Sequence, residues 1–274
     1  MVVRSKKIEF EEPEVERPPG PEVRKADRDA FRDGVFDAYR SAKGGSAIDF
    51  SLQLYLRTTC NAPIDCAGKT VLDVACGQRN PFFFDQLKRA RKVIGVDWDS
   101  AVVRQNPLLH VGIVADLHSI PLPENSVDVV VSVDTIEHAH DPALFLAECC
   151  RVLRNGGRAV FTTPNLFGYR TLLARYGGKT VFDLIWKTFK HTTLPYDSLY
   201  RANTPSRVKR LAEETGLRLV WLETIPELSH FFQPYPIVFA AARAWDKLLG
   251  VFGLAIGWNY MAFVLEKQHN SAIQ

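Results

Sequence analysis

The stretch from Val71 to Pro81 reads VLDVACGQRNP and decides the fold of the chain. A β-branched run from Lys69 to Ala75 predicts a strand that ends in a turn of small residues, and a helix is predicted from Phe82 to Ala90. Small residues let backbone N–H groups approach a ligand closely, and the helix presents its N-terminus to the same place. This unit predicts a ligand site at the end of the first strand.

Strands and helices continue to alternate along the rest of the chain. Further strands are predicted at 92–97, 111–115, 126–133, 158–163, 217–223 and 259–266. Two helices have clear end signals: one runs from Asp141-Pro142 to the Asn155-Gly156-Gly157 break, the other from Thr204-Pro205 to Gly216. Strands that alternate with helices pair in parallel through right-handed crossovers, so an α/β fold with a doubly wound, mostly parallel sheet is expected.

The composition is that of an ordinary globular protein, with 46% hydrophobic and 24% charged residues. A net charge of +3 is too small for a nucleic-acid footprint, so no nucleic-acid partner is expected. The five cysteines have neither metal-ligand nor disulfide spacing, which predicts reduced thiols, no bound metal and a cytoplasmic location. The sequence has no secretory-signal pattern and no run of about 20 apolar residues that would predict a membrane-spanning helix.

Composition also divides the chain into parts. Residues 1–25 are charged and proline-rich and predict a flexible tail, and residues 26–60 predict a helical N-terminal cap. The α/β domain is expected to occupy residues 61–274, with insertions at about 166–203 and 226–257.

Acidic residues stand at or near the ends of three successive predicted strands, at Asp73, Asp97 and Asp116. In an open parallel sheet the ligand lies at the carboxyl ends of the strands. A carboxylate at Asp97 can accept hydrogen bonds from two vicinal ribose hydroxyls, and one at Asp116 can accept from an exocyclic amine while Leu117 packs on a purine. A single acid there serves as often as an N-cap, but three in register predict a nucleoside-type ligand.

Four stretches in this order resemble the class I S-adenosylmethionine-dependent methyltransferases, specifically the type 11 group. They are VLDVACG (71–77), IGVD (94–97), ADLHSIPLPENSVDVVVSVDTIEH (115–138) and RVLRNGGRAVFTTPN (151–165). The resemblance covers roughly 100 residues. It implies a seven-stranded Rossmann-like sheet with an antiparallel last strand and S-adenosyl-L-methionine as the cofactor.

The resemblance assigns eight residues to cofactor binding. Those around the methionyl part are Asp73, Ala75 and Gly77; Asp97 binds the ribose, Asp116 and Leu117 bind the adenine, and Trp98 and Val133 complete the set. The family usually has glycine where this chain has Ala75 and Arg79. Alanine is small enough to be tolerated in such a loop if its φ is negative.

A dinucleotide-binding loop is the main alternative for residues 71–81. It requires the pattern G-x-G-x-x-G, which this stretch lacks. It also leaves the Asp116-Leu117 and Glu137-His138 segments unexplained. S-adenosylmethionine is therefore the expected ligand.

Methyl transfer from a sulfonium depends mainly on proximity and alignment, and a base is needed only if the acceptor must lose a proton. Candidate bases are His138, just past the fourth strand, and His191 and Tyr196 in the first insertion. Each has a structural alternative. His138 would tie its loop to the next helix, and His191 and Tyr196 would only pack within a lid.

Both insertions combine features that suit a lipid-like acceptor. The region from Leu166 to Thr215 carries nine Lys or Arg against four Asp or Glu, interleaved with large apolar side chains. The segment from Phe231 to Trp258 is apolar and aromatic-rich. It predicts a subdomain that packs on the core or forms a dimer, or alternatively a surface that contacts a membrane or covers an apolar acceptor. The stretch from Ser198 to Arg207 is similar to one in relatives that are encoded with glycan or lipid-linked sugar pathways.

The expected function is transfer of a methyl group to a small-molecule, glycan or lipid-linked acceptor. Two alternatives remain open at this point: a quinone or isoprenoid C- or O-methyltransferase, and a protein that binds S-adenosylmethionine without turnover. Peripheral contact with an anionic membrane, on its inner face, is an accompanying prediction.

Overall fold

The computed structural model of the protein describes residues 64–77, 80, 83–168, 171–172, 176, 198–225, 236–251 and 260–268. The predicted tail and N-terminal cap lie outside these residues. So do His191, Tyr196 and much of both insertions.

The described residues form seven strands and five helices. In chain order they are β1 (Thr70–Val74), α1 (Phe84–Arg89), β2 (Lys92–Asp97), α2 (Ser100–Gln105), β3 (Val111–Val114), β4 (Val127–Val133), a 3₁₀ turn (Ile136–His138), α3 (Pro142–Val152), β5 (Leu153–Pro164), α4 (Pro205–Glu214), β6 (Leu217–Ile225), α5 (Pro236–Val251) and β7 (Tyr260–Lys267).

All seven strands belong to one sheet with the order β3-β2-β1-β4-β5-β7-β6. The first five pair in parallel, whereas β7 pairs antiparallel with both β5 and β6. The order reverses between β1 and β4, and this is where doubly wound sheets bind their ligands. The predicted fold class and the antiparallel last strand are confirmed.

The centre of the sheet is buried on both faces. Every residue of β1 is buried, and β4 carries the run Val129-Val130-Val131 with alternate side chains in two separate apolar clusters. Continuous β-branched runs of this kind are typical of parallel strands that are covered by helices on both sides. The large buried side chains Phe145 of α3 and Phe161 of β5 meet edge to face, with ring centroids 5.9 Å apart.

The helix α3 begins as its sequence predicts but ends earlier. Asp141 accepts hydrogen bonds from the backbone N–H groups of Ala143 and Leu144, and Pro142 occupies the first turn. The helix ends at Val152 rather than at the Asn155-Gly156-Gly157 break.

The early end of α3 has a packing reason. Leu153 is fully buried and already pairs with Val127 of β4, and the register then shifts before Val129. The glycines therefore lie in an irregular start of β5 instead of ending the helix. A Cβ atom at Gly157 would lie 2.8 Å from the carbonyl oxygen of Arg154, so this approach requires glycine.

The second insertion contains the helix α5, and the sheet topology shows where it is attached. Because β7 is antiparallel to β5 and β6, the strands β5 and β6 run in the same direction. The chain therefore leaves β6 and enters β7 at the edge that holds the carboxyl ends of β1, β2, β4 and β5. Both insertions depart from this one edge.

Candidate functional site

The turn after β1 has a left-handed backbone at two positions. Gly77 has a φ of 53°, and Ala75 has a φ of 55°. The negative φ under which alanine would be tolerated in this loop is therefore not found at Ala75. A left-handed conformation costs an L-residue roughly 1–2 kcal/mol, and a small side chain does not remove that cost. A Cβ atom added at Gly77 would meet nothing within 4 Å, so the turn faces open space among the described residues.

The carboxylate of Asp97 joins the turn after β1 to the turn after β2. Its Oδ2 accepts a hydrogen bond from the Gly77 N–H at 3.0 Å, and its Oδ1 accepts one from the Asp99 N–H at 3.0 Å. Each carboxylate oxygen has two acceptor positions, so one remains on each oxygen for a ligand hydroxyl. The position of Asp97 thus suits the predicted ribose contact.

Asp73 is fully buried at the centre of the site. Its Oδ1 accepts a hydrogen bond from Asn80 Nδ2 at 2.9 Å, whereas its Oδ2 has no hydrogen-bond partner among the described residues. Burial raises the pKa of Asp73 to about 7; the charge of Asp97 adds to the rise and the hydrogen bond from Asn80 opposes it. A buried carboxylate oxygen without a hydrogen-bond partner would be stabilised by a nearby cationic or hydrogen-bond-donating group.

Two asparagines, Asn80 and Asn106, organise the site, and neither was selected as a site residue from the sequence. Asn80 also accepts a hydrogen bond from the Phe83 N–H with its Oδ1, and so links Asp73 to the start of α1. Asn106 donates from Nδ2 to the carbonyl oxygens of Cys76 and Gly77, both at 3.1 Å. The one available signal was that each asparagine directly precedes a proline in a turn.

Asp116 and Leu117 follow β3 at the same edge. The Ala115 N–H donates to the Asp97 carbonyl oxygen at 3.1 Å, which places the end of β3 beside the end of β2. The Asp116 side chain is exposed, and hydrogen bonds from the His118 backbone and ring lower its pKa. Leu117 is half-buried and packs against the main apolar cluster.

The other two predicted cofactor residues border the same region. Trp98 directly follows Asp97, and 73% of its surface is exposed. Val133 is the half-buried last residue of β4, and its carbonyl oxygen accepts a hydrogen bond from Thr135 Oγ1 at 2.8 Å. The sheet thus brings all eight predicted cofactor residues to the carboxyl ends of four adjacent strands.

His138 lies in the 3₁₀ turn after β4 and is half-buried, with its Nε2 3.9 Å from Glu137 Oε1. Glu137 itself is buried and accepts a hydrogen bond from Thr163 Oγ1 at 2.8 Å. The Glu137 carbonyl oxygen also accepts from the N–H groups of Leu199 and Tyr200, at 2.7 and 3.2 Å. Glu137 therefore fixes the returning end of the first insertion against the ends of β4 and β5, a role that sequence reasoning did not assign.

Cysteine and metal chemistry have no support within the described part of the chain. Burial raises the pKa values of the Cys66 and Cys76 thiols to about 12, so both stay protonated at neutral pH. Four cysteines, Cys66, Cys76, Cys149 and Cys150, are free thiols. The described residues contain no cluster of three or more His, Cys, Asp or Glu that could hold a metal ion.

These contacts fit an adenosyl ligand with a charged amino-acid tail. The open turn at Gly77 lies beside the acceptor positions of Asp97, the buried Asp73 belongs to the adjacent strand, and Asp116 follows β3. The order along the edge matches the order of methionyl, ribose and adenine groups that the resemblance implies.

Comparison with known proteins agrees with this arrangement. Residues 72–161 match a family described as "Methyltransferase domain". A probable S-adenosylmethionine-dependent methyltransferase from Mycolicibacterium smegmatis is 43% identical over 105 residues, which are 36% of this chain and 40% of that protein. A ubiquinone biosynthesis O-methyltransferase from Cupriavidus pinatubonensis is 28% identical over 66% of this chain and 70% of its own length.

The fold is shared with solved structures as well. The crystal structure of an S-adenosylmethionine-dependent methyltransferase from Mesorhizobium loti superposes with a TM-score of 0.52 over 84% of this chain and 100% of that one, at 13% identity. These findings confirm the resemblance to class I S-adenosylmethionine-dependent methyltransferases. The chain spans about two fifths of the length of the mycobacterial relatives that it matches.

The strain at Ala75 gives a first prediction. Ala75→Gly removes the left-handed penalty but adds backbone entropy to the unfolded chain, so the free energy of unfolding should rise by up to about 1 kcal/mol. Gly77→Ala is the matched control, and should lower it by about 1 kcal/mol or more. Urea unfolding of the ligand-free proteins measures both values. A clear loss of stability in Ala75→Gly would contradict the inference that the left-handed backbone of Ala75 is strained.

The raised pKa of Asp73 gives a second prediction. The folded state keeps this proton up to a pH of about 7, whereas the unfolded chain releases it near 3.8, so the contribution of Asp73 to stability falls as pH rises between these values. Asp73→Asn removes that fall. Relative to the wild type, the variant should therefore gain about 2–3 kcal/mol of unfolding free energy between pH 5 and pH 7. Parallel stability profiles of the two proteins would show that Asp73 does not titrate in this range.

Proposed function

We propose that this protein is an S-adenosylmethionine-dependent methyltransferase that transfers a methyl group to a small-molecule, glycan or lipid-linked acceptor. The observation that carries the proposal is the set of three acids, Asp73, Asp97 and Asp116, at one edge of three adjacent parallel strands. Backbone hydrogen bonds tie their loops to one another through Gly77 and Ala115.

Each acid has a distinct task in this proposal. Asp97 accepts hydrogen bonds from the two ribose hydroxyls through its remaining acceptor positions. Asp116 accepts from the exocyclic amine of adenine, and Trp98 and Leu117 supply apolar surface to the purine and sugar. The backbone of Ala75 to Gly77 faces the methionyl part, and Asp73, whose buried Oδ2 has no hydrogen-bond partner among the described residues, lies at the same strand end. S-adenosylmethionine, when bound, supplies an electrophilic methyl group on a sulfonium sulfur.

The role of the protein in the transfer is mainly to align the acceptor with that methyl group. A hydroxyl acceptor would also require a base, and His138 is the described candidate. It follows β4 on the side of the site opposite Asp116, since β4 and β2 flank β1. His191 and Tyr196 remain candidates from the first insertion.

The acceptor is proposed to be lipid-linked or otherwise apolar, and α5 supports this. Six exposed small or apolar residues recur along α5 at intervals of three and four, which places them on one side of the helix: Ile237, Ala240, Ala241, Ala244, Trp245 and Leu248. The buried residues Ala242 and Leu249 lie on another side of the helix.

A lipid surface is the proposed partner of this exposed face. A helix that exposes Trp, Ile and Leu on one side is suited to lie in the plane of a membrane interface. The first insertion, attached to the same sheet edge, carries the excess of basic residues that anionic headgroups attract. Within the described residues no helix is long and apolar enough to cross a membrane. Peripheral contact on the cytoplasmic face follows from the proposal.

The likeness to the ubiquinone biosynthesis O-methyltransferase supports an isoprenoid quinone as one acceptor of this kind. A protein that binds S-adenosylmethionine without turnover is the second candidate function. The two differ in one measurement: only the enzyme converts S-adenosylmethionine to S-adenosylhomocysteine when it is supplied with lipid or glycan extracts.

The cofactor assignment predicts that both S-adenosylmethionine and S-adenosylhomocysteine raise the melting temperature of the wild type. Asp97→Ala should weaken binding of either ligand by about 1.5–3 kcal/mol, the scale for a lost hydrogen bond to a charged group. Calorimetric titration measures the change. Asp99→Ala is the matched control, because it removes the neighbouring carboxylate, which only caps α2 through the Ala101 N–H. Unchanged affinity in a folded Asp97→Ala protein would remove the ribose assignment.

The membrane proposal predicts co-sedimentation with vesicles of phosphatidylcholine and phosphatidylglycerol at low salt. Binding should weaken as salt rises, since each Lys or Arg near the surface contributes about 1 kcal/mol that is screened by salt. Leu248→Ser should reduce binding. Leu144→Ser should not, because Leu144 on α3 has the same 47% exposure but lies outside the proposed contact. A wild type that stays in the supernatant at low salt would favour a water-soluble acceptor.

A further inference from the structure

We propose that His118 is a positioning residue that orients the Asp116 carboxylate and so determines how strictly the site selects adenine over other purines. The proposal rests on the function above, in which Asp116 receives the exocyclic amine. It adds a residue that the sequence resemblance did not assign to the site.

His118 holds one oxygen of Asp116 with two hydrogen-bonding groups. The His118 backbone N–H donates to Asp116 Oδ1 at 2.8 Å, and the ring Nδ1 lies 2.7 Å from the same oxygen. Asp116 Oδ2 makes no hydrogen bond in the described part of the chain, so the pair leaves one oxygen available. The Asp116 side chain is 70% exposed, and a carboxylate so open to water would rotate freely without these contacts.

The other side of the ring fixes its tautomer. The Asp141 N–H donates to His118 Nε2 at 3.3 Å, and a backbone N–H can only donate. The neutral ring therefore carries its hydrogen on Nδ1, where it donates to Asp116. A histidine that accepts on one side and donates on the other has a defined orientation.

The ring is also anchored to a rigid element. Asp141 is the N-cap of α3, and its Oδ1 accepts from the Ala143 and Leu144 N–H groups at 3.0 Å. The His118 side chain is only 17% exposed. The chain of contacts thus runs from the buried helix α3 through His118 to the exposed carboxylate. A carboxylate held in this way can accept a hydrogen bond from the exocyclic amine of adenine without a further entropic cost of ordering. It repels hypoxanthine, which carries a carbonyl oxygen in place of that amine.

The test compares two ligands that differ at that position, S-adenosylhomocysteine and S-inosylhomocysteine, by calorimetric titration. The wild type should bind the adenosyl compound more tightly, and Asp116→Ala should remove most of the preference. His118→Phe keeps the ring but loses both nitrogens, and should lower the ratio of the two dissociation constants by roughly two- to tenfold, the range for one side chain left to be ordered by the ligand. His118→Asn should restore the ratio, because its amide nitrogen can take the place of Nδ1.

A matched control separates this role from loss of a histidine in general. His110 Nδ1 accepts a hydrogen bond from the Val93 backbone N–H. His110 precedes β3, however, and so lies at the amino end of this strand, away from the proposed site. His110→Phe should leave the ratio unchanged. If His118→Phe proves unstable, His118→Ala is measured in its place, with the same expectation.

The outcomes are distinguishable from failure of the proposed function. A wild type that binds neither ligand overturns the function itself. A wild type that prefers the adenosyl compound, with the preference lost in Asp116→Ala but intact in His118→Phe, overturns the positioning role alone. Unequal losses of stability between His118→Phe and His118→Asn do not affect this reading, because the ratio compares two ligands on the same folded protein.

Discussion

The hydrogen bond from the Gly77 N–H to Asp97 Oδ2 is the contact on which the rest of the site depends. It joins two turns that come from different strands, and Asn106 holds the carbonyl oxygens of the same turn from the other side. The turn can therefore keep a left-handed backbone at Ala75, a conformation that is unfavourable in isolation. Without this clamp the turn after β1 would be free to move relative to Asp97, because strand pairing fixes Asp73 and Asp97 but not the backbone of Ala75 to Gly77.

Much of the fold could be predicted from the sequence because its signals are local. The apolar run of β4, the Asp141-Pro142 cap and the alternating pattern of β7 depend only on neighbouring residues, and each appears where expected. The six residues of α2 are too few to establish a helical period, and this helix was not predicted. The end of α3 was misplaced because Leu153 is drawn into the sheet by its pairing with Val127, a contact that the local sequence does not record.

The acids of the candidate site could be selected from the sequence, whereas the residues that support them could not. Asp73, Asp97 and Asp116 could be selected because each lies at or near the end of a predicted strand. Asn80, Asn106 and Glu137 act through partners that are 7, 29 or 30, and 26 residues away, and only the folded chain brings these together. The left-handed φ of Ala75 could not be predicted for a similar reason, since the composition of a turn does not reveal the backbone geometry that its neighbours impose.

The attachment of both insertions to one edge of the sheet has a consequence for how such a protein diversifies. The residues proposed to hold the cofactor belong to β1 through β4 and their turns. The connections after β5 and β6 leave from the same edge of the sheet but contain none of these residues. Exchange or lengthening of these connections would alter the entrance while the buried strands stayed unchanged. Selection can therefore act on acceptor choice and on cofactor binding as nearly separate traits, and a lineage can acquire new acceptors without rebuilding its core.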